Sequence, residues 1–529
     1  MVFFSLGLLI SWVVLLLGSL LIGVWAVGTL DLSVVLSELD MSVASFGVVG
    51  YFVVVLLWVY ISVLLFSGLY MTGEALDGSF CYMVLLFVLG MVVYVVFTDL
   101  LGVILGWEIL GVVSFILIFY YGNYLSKISS FMTVMVNRLG DVGVFMLLLA
   151  WLYSDHLGFG GSSLGWFVLV CLLSKSAQFP FSFWLPMAMA APTPVSSLVH
   201  SSTLVTAGVY MVLRMGVDID VLIMGLVFFM CSGTMLYAGL SSLWELDYKK
   251  VVALSTLFHL ALMGMFLGLN YLELGGFHLL AHALFKSGVF MSVGVLIFLW
   301  SHEQDFRLVG LPKGVVGVVL VSLFMGVVSL MGLPYFSGGM MKEFFLSCFV
   351  SDSGSVLTGM VVFVGLSCSL VYSFKLISPW WSQSGSGLIG GVFLMRGGSF
   401  GFIFSMVLFS LFVGFMVFSV VWVDSEACLL TGADFMFYVV LVVAMFLVSF
   451  FAFSWGYLGL GLKDLWGFSW SSMAMFFVAM FSSVEDVNLV VVGEWTGTGV
   501  SRSVGLVSVW VLVFSVILVS LLGMVVVFI

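Results

Sequence analysis

Charged side chains are scarce in this sequence. Of 529 residues, 7% are Asp, Glu, Lys or Arg, while 64% are hydrophobic. Soluble domains carry about 25% charged and about 45–50% apolar residues, so a soluble globular fold is excluded. The 14 basic residues form no patch, which argues against nucleic-acid binding. The formal charge of −11 is spread thinly along the chain. Cysteine is equally sparse: Cys81, Cys171, Cys231, Cys348, Cys368 and Cys428 lie far apart and form no CxxC. Iron–sulfur and zinc sites need clustered thiolates, so these read as buried thiols and no metal is expected. No CxxCH, GxGxxG or flavin signature is present, and no cofactor is expected in this chain.

What remains is long apolar runs. Mean hydropathy is +1.35, the level of a helical membrane protein. Runs lie near 2–28, 43–69, 80–98, 100–121, 129–152, 164–186, 195–214, 220–241, 250–268, 272–299, 314–350, 355–377, 400–423, 436–458 and 504–529. Most reach the roughly 20 residues that a helical crossing needs. The expected fold is therefore an all-α polytopic membrane protein with about 15 transmembrane helices. The first run is too long and too uncharged for a signal peptide and reads as a transmembrane helix. Rich Phe, Val, Gly and Trp beside poor Pro, His, Gln and Asn implies a T/G-biased coding strand, as in some mitochondrial genomes.

Proline is also rare, and its placement is informative. Four of the 7 prolines (Pro180, Pro186, Pro192 and Pro194) fall within 171–214, CLLSKSAQFPFSFWLPMAMAAPTPVSSLVHSSTLVTAGVYMVLR. Proline removes a backbone donor and breaks a helix. Broken helices at membrane depth survive only packed in protein or against a wet cavity. Lys175 and His200 sit in the two apolar runs that flank these prolines, and intramembrane charge marks ion or proton paths. Desolvation disfavours the charged form of a buried amine and a nearby carboxylate favours it, so a lysine with a movable partner can store and release a proton. Arg138 and Asp141, three apart in NRLGDVG, share a helix face, and an ion pair and a proton-path role are both open to them. His278, His282 and Lys286 form one stripe at i, i+4 and i+8. As metal ligands the two histidines would need a third His or a carboxylate beside them, and HLLAHALFKSG offers neither.

The strings KSAQ, WLP and APTPVSSLVHSST resemble the antiporter-like subunits of proton-pumping NADH:ubiquinone oxidoreductase (respiratory complex I). Within that family the PTPVS–HSST string is nearer to the subunit 5 branch than to subunits 2 and 4. The resemblance implies two five-helix inverted antiporter-like repeats with broken helices, and a C-terminal lateral amphipathic helix. It implies that Glu108 of GWE pairs with Lys175, that Asp141 lies near that lysine, that His200 links the halves, and that Lys342 and Glu343 of GGMMKE form the second half's pair. Together with Arg138, His278, His282 and Lys286, these are the candidate proton-transfer residues. Electron transfer would occur in other subunits, with NADH oxidised and ubiquinone reduced outside this chain. Expected partners are the other membrane-arm subunits, especially the neighbouring antiporter-like subunit 4, and the lipid bilayer. The expected location is the inner mitochondrial membrane. Other readings are a subunit of a multi-subunit cation/proton antiporter, and a scaffold that does not pump.

The implied organisation is 1–79 for the N-terminal helices, 80–214 and 215–377 for the two halves, 378–458 for further transmembrane helices, 459–503 for the lateral helix and 504–529 for a final anchor. The family usually has two helices before LSELDM, whereas one run stands here, so one helix is expected to be missing. The family's His–Pro before WLP is replaced by Ser182 and Phe183, which displaces the expected break. His259 stands where glutamine is usual and is read as core packing.

Charge placement gives a topology. Loops after even-numbered runs hold Lys127, Lys249, Lys250, Arg307, Lys313, Lys375, Arg396, Lys463 and Arg502, whereas loops after odd-numbered runs hold only Arg214. By the positive-inside rule the even loops and the N-terminus face the matrix. A protease site placed in the 242–250 loop should resist protease added to intact mitoplasts, and its cleavage from that side would refute the topology.

Overall fold

The computed structural model describes residues 48–71, 77–97, 100–152, 161–215, 219–300, 302–306, 317–333, 336–351 and 356–377, with isolated positions at 403, 407 and 410. The first apolar run, the segment 459–503 and the final anchor lie outside these residues. The described elements are helical, apart from one isolated bridge between Asp247 and Asp305.

In chain order they are α1 (Val48–Tyr70), α2 (Asp77–Val96), α3 (Leu100–Phe119), α4 (Tyr124–Leu152) and α5 (Gly161–Lys175). A short turn α6 (Trp184–Met187) runs into a 3-10 turn, Ala188–Ala190. Next come α7 (Thr193–Leu198), a π turn (Val199–Thr203) and α8 (Leu204–Met215). The second set is α9 (Val221–Trp244), α10 (Tyr248–Gly268), α11 (Leu272–Leu299), α12 (Gly317–Met331), α13 (Ser337–Ser351) and α14 (Val356–Ile377). Each expected run from 43–69 to 355–377 falls on one of these elements, except that 164–186, 195–214 and 314–350 each cover more than one. Eight stretches among the described residues are long and apolar enough to cross a membrane, the 193–215 stretch counting as one.

Packing follows the order of the chain. Helix α2 lies on α3, α3 on α4, α4 on α5, and α5 on α8. The second set repeats this order, with α9 on α10, α10 on α11, α11 on α12, and α12 on α14. Helices α10 and α11 and the 193–215 stretch are buried almost throughout and form the interior. Helices α2, α3, α4 and α9 show large apolar side chains outward, among them Leu89, Leu105, Phe145 and Phe229. Such a surface is stable only against lipid or protein.

Small residues set the closest approaches, as expected where lipid supplies no hydrophobic driving force between helices. A Cβ on Gly106 of α3 would lie 2.6 Å from backbone atoms of Tyr94 on α2. One on Gly140 of α4 would fall on the Ser174 hydroxyl of α5. Two of the apolar runs are interrupted at a titratable or proline-bearing segment. The break after α5 starts directly at Lys175, and the 314–350 run is split into α12 and α13, with Pro334 outside the described residues.

Gly106→Ala forces two backbones apart, and overpacking of this kind costs about 1–3 kcal/mol. The expected result is a lower thermal midpoint of the protein in lipid nanodiscs. An unchanged midpoint would show that the α2–α3 contact is looser than described.

Candidate functional site

Helix α5 ends with its polar residue inside the protein. Lys175 is its last residue and is fully buried. The following Ala177 has φ +54°, and the Gln178 N–H donates to the Leu173 carbonyl at 3.0 Å. That closing bond is the Schellman pattern, normally built with glycine at the left-handed position. An alanine there carries strain of about 1–2 kcal/mol. The chain resumes as helix only at Trp184, whose indole donates to the Ser174 carbonyl at 3.2 Å.

Around Lys175 lies a four-charge group. Its ammonium donates to the Trp107 carbonyl at 3.4 Å and stands 4.5 Å from the centre of the Trp107 ring. The Trp107 indole donates to Asp141 at 2.7 Å. Arg138 meets Asp141 at 3.0 Å and Glu108 at 2.9 Å. The formal charges of Glu108, Asp141, Arg138 and Lys175 sum to zero. Among the described residues, however, Lys175 makes no direct ion pair. Glu108 turns to Arg138 on an outward-facing part of α3 and α4, where the two side chains are 29% and 50% exposed. The contacts that connect Lys175 with Glu108 run by way of Trp107, Asp141 and Arg138.

His200 occupies the π turn. Thr203 donates to the Leu198 carbonyl at 2.9 Å, and Ser202 donates to the same oxygen at 3.0 Å. Hydroxyls thus take carbonyls that the widened turn frees, as happens in interrupted membrane helices. Both nitrogens of the buried His200 ring lack a protein partner among the described residues. Its ring meets Trp184 edge-on with centroids 6.2 Å apart. Trp184 therefore joins the end of α5 to the turn that holds His200.

In the second set, Lys286 of α11 donates to the Ser255 hydroxyl of α10. His282 and His278 lie one and two turns before it, fully buried. His259 of α10 lies against them: its Nδ1 is 3.3 Å from the His278 Nε2. A third histidine does stand beside the pair, supplied by the neighbouring helix. Among the described residues, no group of three or more His, Cys, Asp or Glu side chains is arranged to hold a metal ion. Lys342 of α13 donates to the Leu330 and Met331 carbonyls at 2.8 and 3.1 Å and to the Ser369 hydroxyl at 2.8 Å. Gly332, at φ +86°, leaves room for its stem: a Cβ there would lie 2.7 Å from the lysine's Cδ. Glu343 is buried with Oε1 unpartnered among the described residues, and no ion pair joins it to Lys342.

Sequence reasoning missed Trp107, Ser255, Ser369 and Lys249. Lys249, expected in a loop, is buried in the first turn of α10 and donates to the Ala191 carbonyl at 2.6 Å. A signal existed for two of them. Trp107 adjoins Glu108 in GWE, and Ser255 lies one helical turn from His259.

Buried titratable groups at helix breaks, inside a bundle with apolar outer faces, define an antiporter-like membrane protein. The comparisons narrow this. The family described as NADH:quinone oxidoreductase/Mrp antiporter, TM matches residues 98–367. NADH-ubiquinone oxidoreductase chain 5 of Aedes aegypti is 37% identical over 328 residues, covering 60% of this chain and 56% of that protein. The Ascaris suum protein of the same name is 34% identical over 448 residues, covering 78% of each. Among solved structures, the Mrp complex from Dietzia sp. DQ12-45-1b aligns with a TM-score of 0.66 at 21% identity, covering 97% of this chain and 59% of that one. A chain of the membrane-bound sulfane sulfur reductase, an archaeal respiratory membrane complex, aligns at 0.59 and 21%, covering 70% of this chain and 80% of that one. The chain belongs to the NADH:quinone oxidoreductase/Mrp antiporter membrane family. Its match spans a little over half the length of the Aedes aegypti relative.

Trp107→Phe keeps a ring beneath Lys175 and removes the donor to Asp141. An unsatisfied buried acceptor costs about 1–3 kcal/mol, so the purified protein should melt at a lower temperature. Equal melting would show that the indole bond contributes nothing to the fold.

Proposed function

We propose that this chain is the chain 5 subunit of respiratory complex I and moves protons across the inner mitochondrial membrane. The observation that carries this reading is the row of buried titratable side chains: Lys175, His200, the histidines with Lys286, and Lys342. A charge at the bilayer centre costs at least about 2.5–3.5 kcal/mol on insertion scales. A fold that retains so many such groups, several of them beside helix breaks, is using them. The names of relatives at 34–41% identity support complex I over a separate cation antiporter, whose solved likeness is 21% identical.

In this reading the two sets, α2–α8 and α9–α14, are inverted repeats, supported by their matching order of contacts. Lys175 exchanges its proton with the carboxylates of the Glu108–Arg138–Asp141 group through water, while Trp107 holds the ammonium and Asp141 in place. Lys342, set on a helix end, serves the second half, and His200 joins the halves. NADH oxidation and ubiquinone reduction take place in other subunits, and this chain carries no redox centre. Subunit 4 is the expected neighbour in the membrane arm.

Lys175→Ala should leave the complex assembled, because it removes a buried cost along with a partner. Protons moved per NADH oxidised should fall. Lys175→Arg should not restore them fully, since a guanidinium keeps its proton. The measurement is proton uptake and NADH oxidation in coupled membrane vesicles. Unchanged pumping in Lys175→Ala sinks the reading and favours a scaffold.

A further inference from the structure

We propose that Gln178 is a positioning residue for Lys175, and that its bond to Thr234 of α9 lets the second set of helices fix where the end of α5 stands. The proposal rests on reading the chain as a proton-translocating subunit and adds a mechanical link between its two sets. Neither Gln178 nor Thr234 titrates, so the pair carries no proton itself.

The first argument is where Gln178 sits. It is fully buried, just beyond Lys175. Its main chain closes α5: the N–H donates to the Leu173 carbonyl at 3.0 Å, across the left-handed Ala177. Its side chain leaves the first set. Oε1 accepts from the Thr234 hydroxyl of α9, and Nε2 donates to the Ser176 carbonyl at 3.4 Å. One residue therefore ends the helix that carries Lys175 and ties that end to the second set. The Thr234 hydroxyl has one hydrogen, and the Cys231 carbonyl, a turn back, lies 2.8 Å from the same oxygen. If that carbonyl takes the hydrogen, the amide turned over donates to the threonine oxygen instead, so the two side chains stay bonded either way.

The second argument is what stands behind Thr234. Helix α9 lies against both α5 and α10. A Cβ on Gly165, near the start of α5, would lie 2.5 Å from the Ile223 side chain of α9. With Gln178 and Thr234 at the other end, α5 and α9 run in the same direction and touch at both ends of their shared length. A Cβ on Gly264 of α10 would fall on the sulfur of Cys231, one turn from Thr234. The hydroxyl that holds Gln178 is thus mounted on a helix with little room to slide.

The third argument is the far end of the break. Lys249, in the first turn of α10, donates to the Ala191 carbonyl at 2.6 Å and to the Met189 carbonyl at 3.4 Å. The stretch from Gln178 to Ala191 is held at one end by α9 and at the other by α10. Interrupted helix lacks a full ladder of its own bonds, and here the second set supplies the support. A movement of the α9–α10 pair shifts Gln178, and with it Lys175 relative to Trp107 and the carboxylates of α3 and α4. By linkage, a change of charge at Lys175 biases α9 in return.

The test is a double-mutant cycle. Thr234→Val keeps the shape and removes the hydroxyl. Gln178→Met keeps the length and removes the amide, and Thr234→Ser keeps the hydroxyl. These, the Thr234→Val/Gln178→Met double variant and Lys175→Ala are compared in membrane vesicles holding the complete complex. The readouts are protons moved per NADH oxidised and the amount of assembled complex. An ordinary hydrogen bond shifts an equilibrium about two- to tenfold, so each single variant should lose roughly half or more of its pumping while assembly is kept. The double variant should be no worse than the poorer single one, because both remove the same bond. Thr234→Ser should pump as the wild type does. Normal pumping in either single variant overturns the proposal. So do losses that multiply in the double variant, and Thr234→Ser as damaged as Thr234→Val. Loss of assembly in the single variants overturns it too, since the bond then serves the fold alone. Lys175→Ala separates the two readings: its loss upholds pumping whatever the other variants do. Normal pumping there sinks the pumping reading, and this proposal with it.

Discussion

A helix broken inside a bilayer leaves backbone carbonyls with no water to meet them. Much of this structure answers that constraint, and it answers with ammonium groups. Lys249 covers the carbonyls at the 189–191 turn, Lys342 covers the end of α12, and Lys375 covers the end of α9. Cations are favoured at the negative ends of helices, so breaking a helix creates a place where a buried lysine is tolerated. Dipoles and hydroxyls hold these charges more loosely than a bound carboxylate would. That arrangement suits a group whose charge must come and go.

The two sets of helices apply this differently. In the first, Lys175 ends α5 but reaches across to Trp107, and charge balance comes from side chains on α3 and α4. In the second, Lys286 rests on a serine and Lys342 on carbonyls and a serine. Carboxylates therefore dominate one set, and neutral oxygen ligands and imidazoles the other. The link between them is the 193–215 stretch, which touches α5 on one side and α11 on another.

Much of this was legible in the sequence. Run lengths located the helices, prolines marked one break, and the spacing of Arg138 and Asp141 gave their ion pair directly. These features depend on residues close together in the chain. What escaped depended on contacts between helices. The contact of His259 with His278 could not be read from the sequence, because the two lie nineteen positions apart on different helices. Lys249 looked like a loop residue because its neighbours are charged, yet a remote break needed its protons. The indole that lies against the Lys175 ammonium was likewise not legible, because Trp107 and Lys175 are far apart in the chain.

The π turn at Val199–Thr203 has a geometric consequence of its own. Each residue of an α-helix advances the side-chain direction by about 100°, and a π turn holds one residue more than an α turn. Everything after Thr203 is thus rotated relative to a regular continuation of α7. Deleting one residue there would leave the composition and hydropathy of the segment almost unchanged. It would nonetheless swing the whole of α8 about its axis and turn the face that meets α5 toward a different neighbour. In this segment phase, rather than length or polarity, carries the structural information.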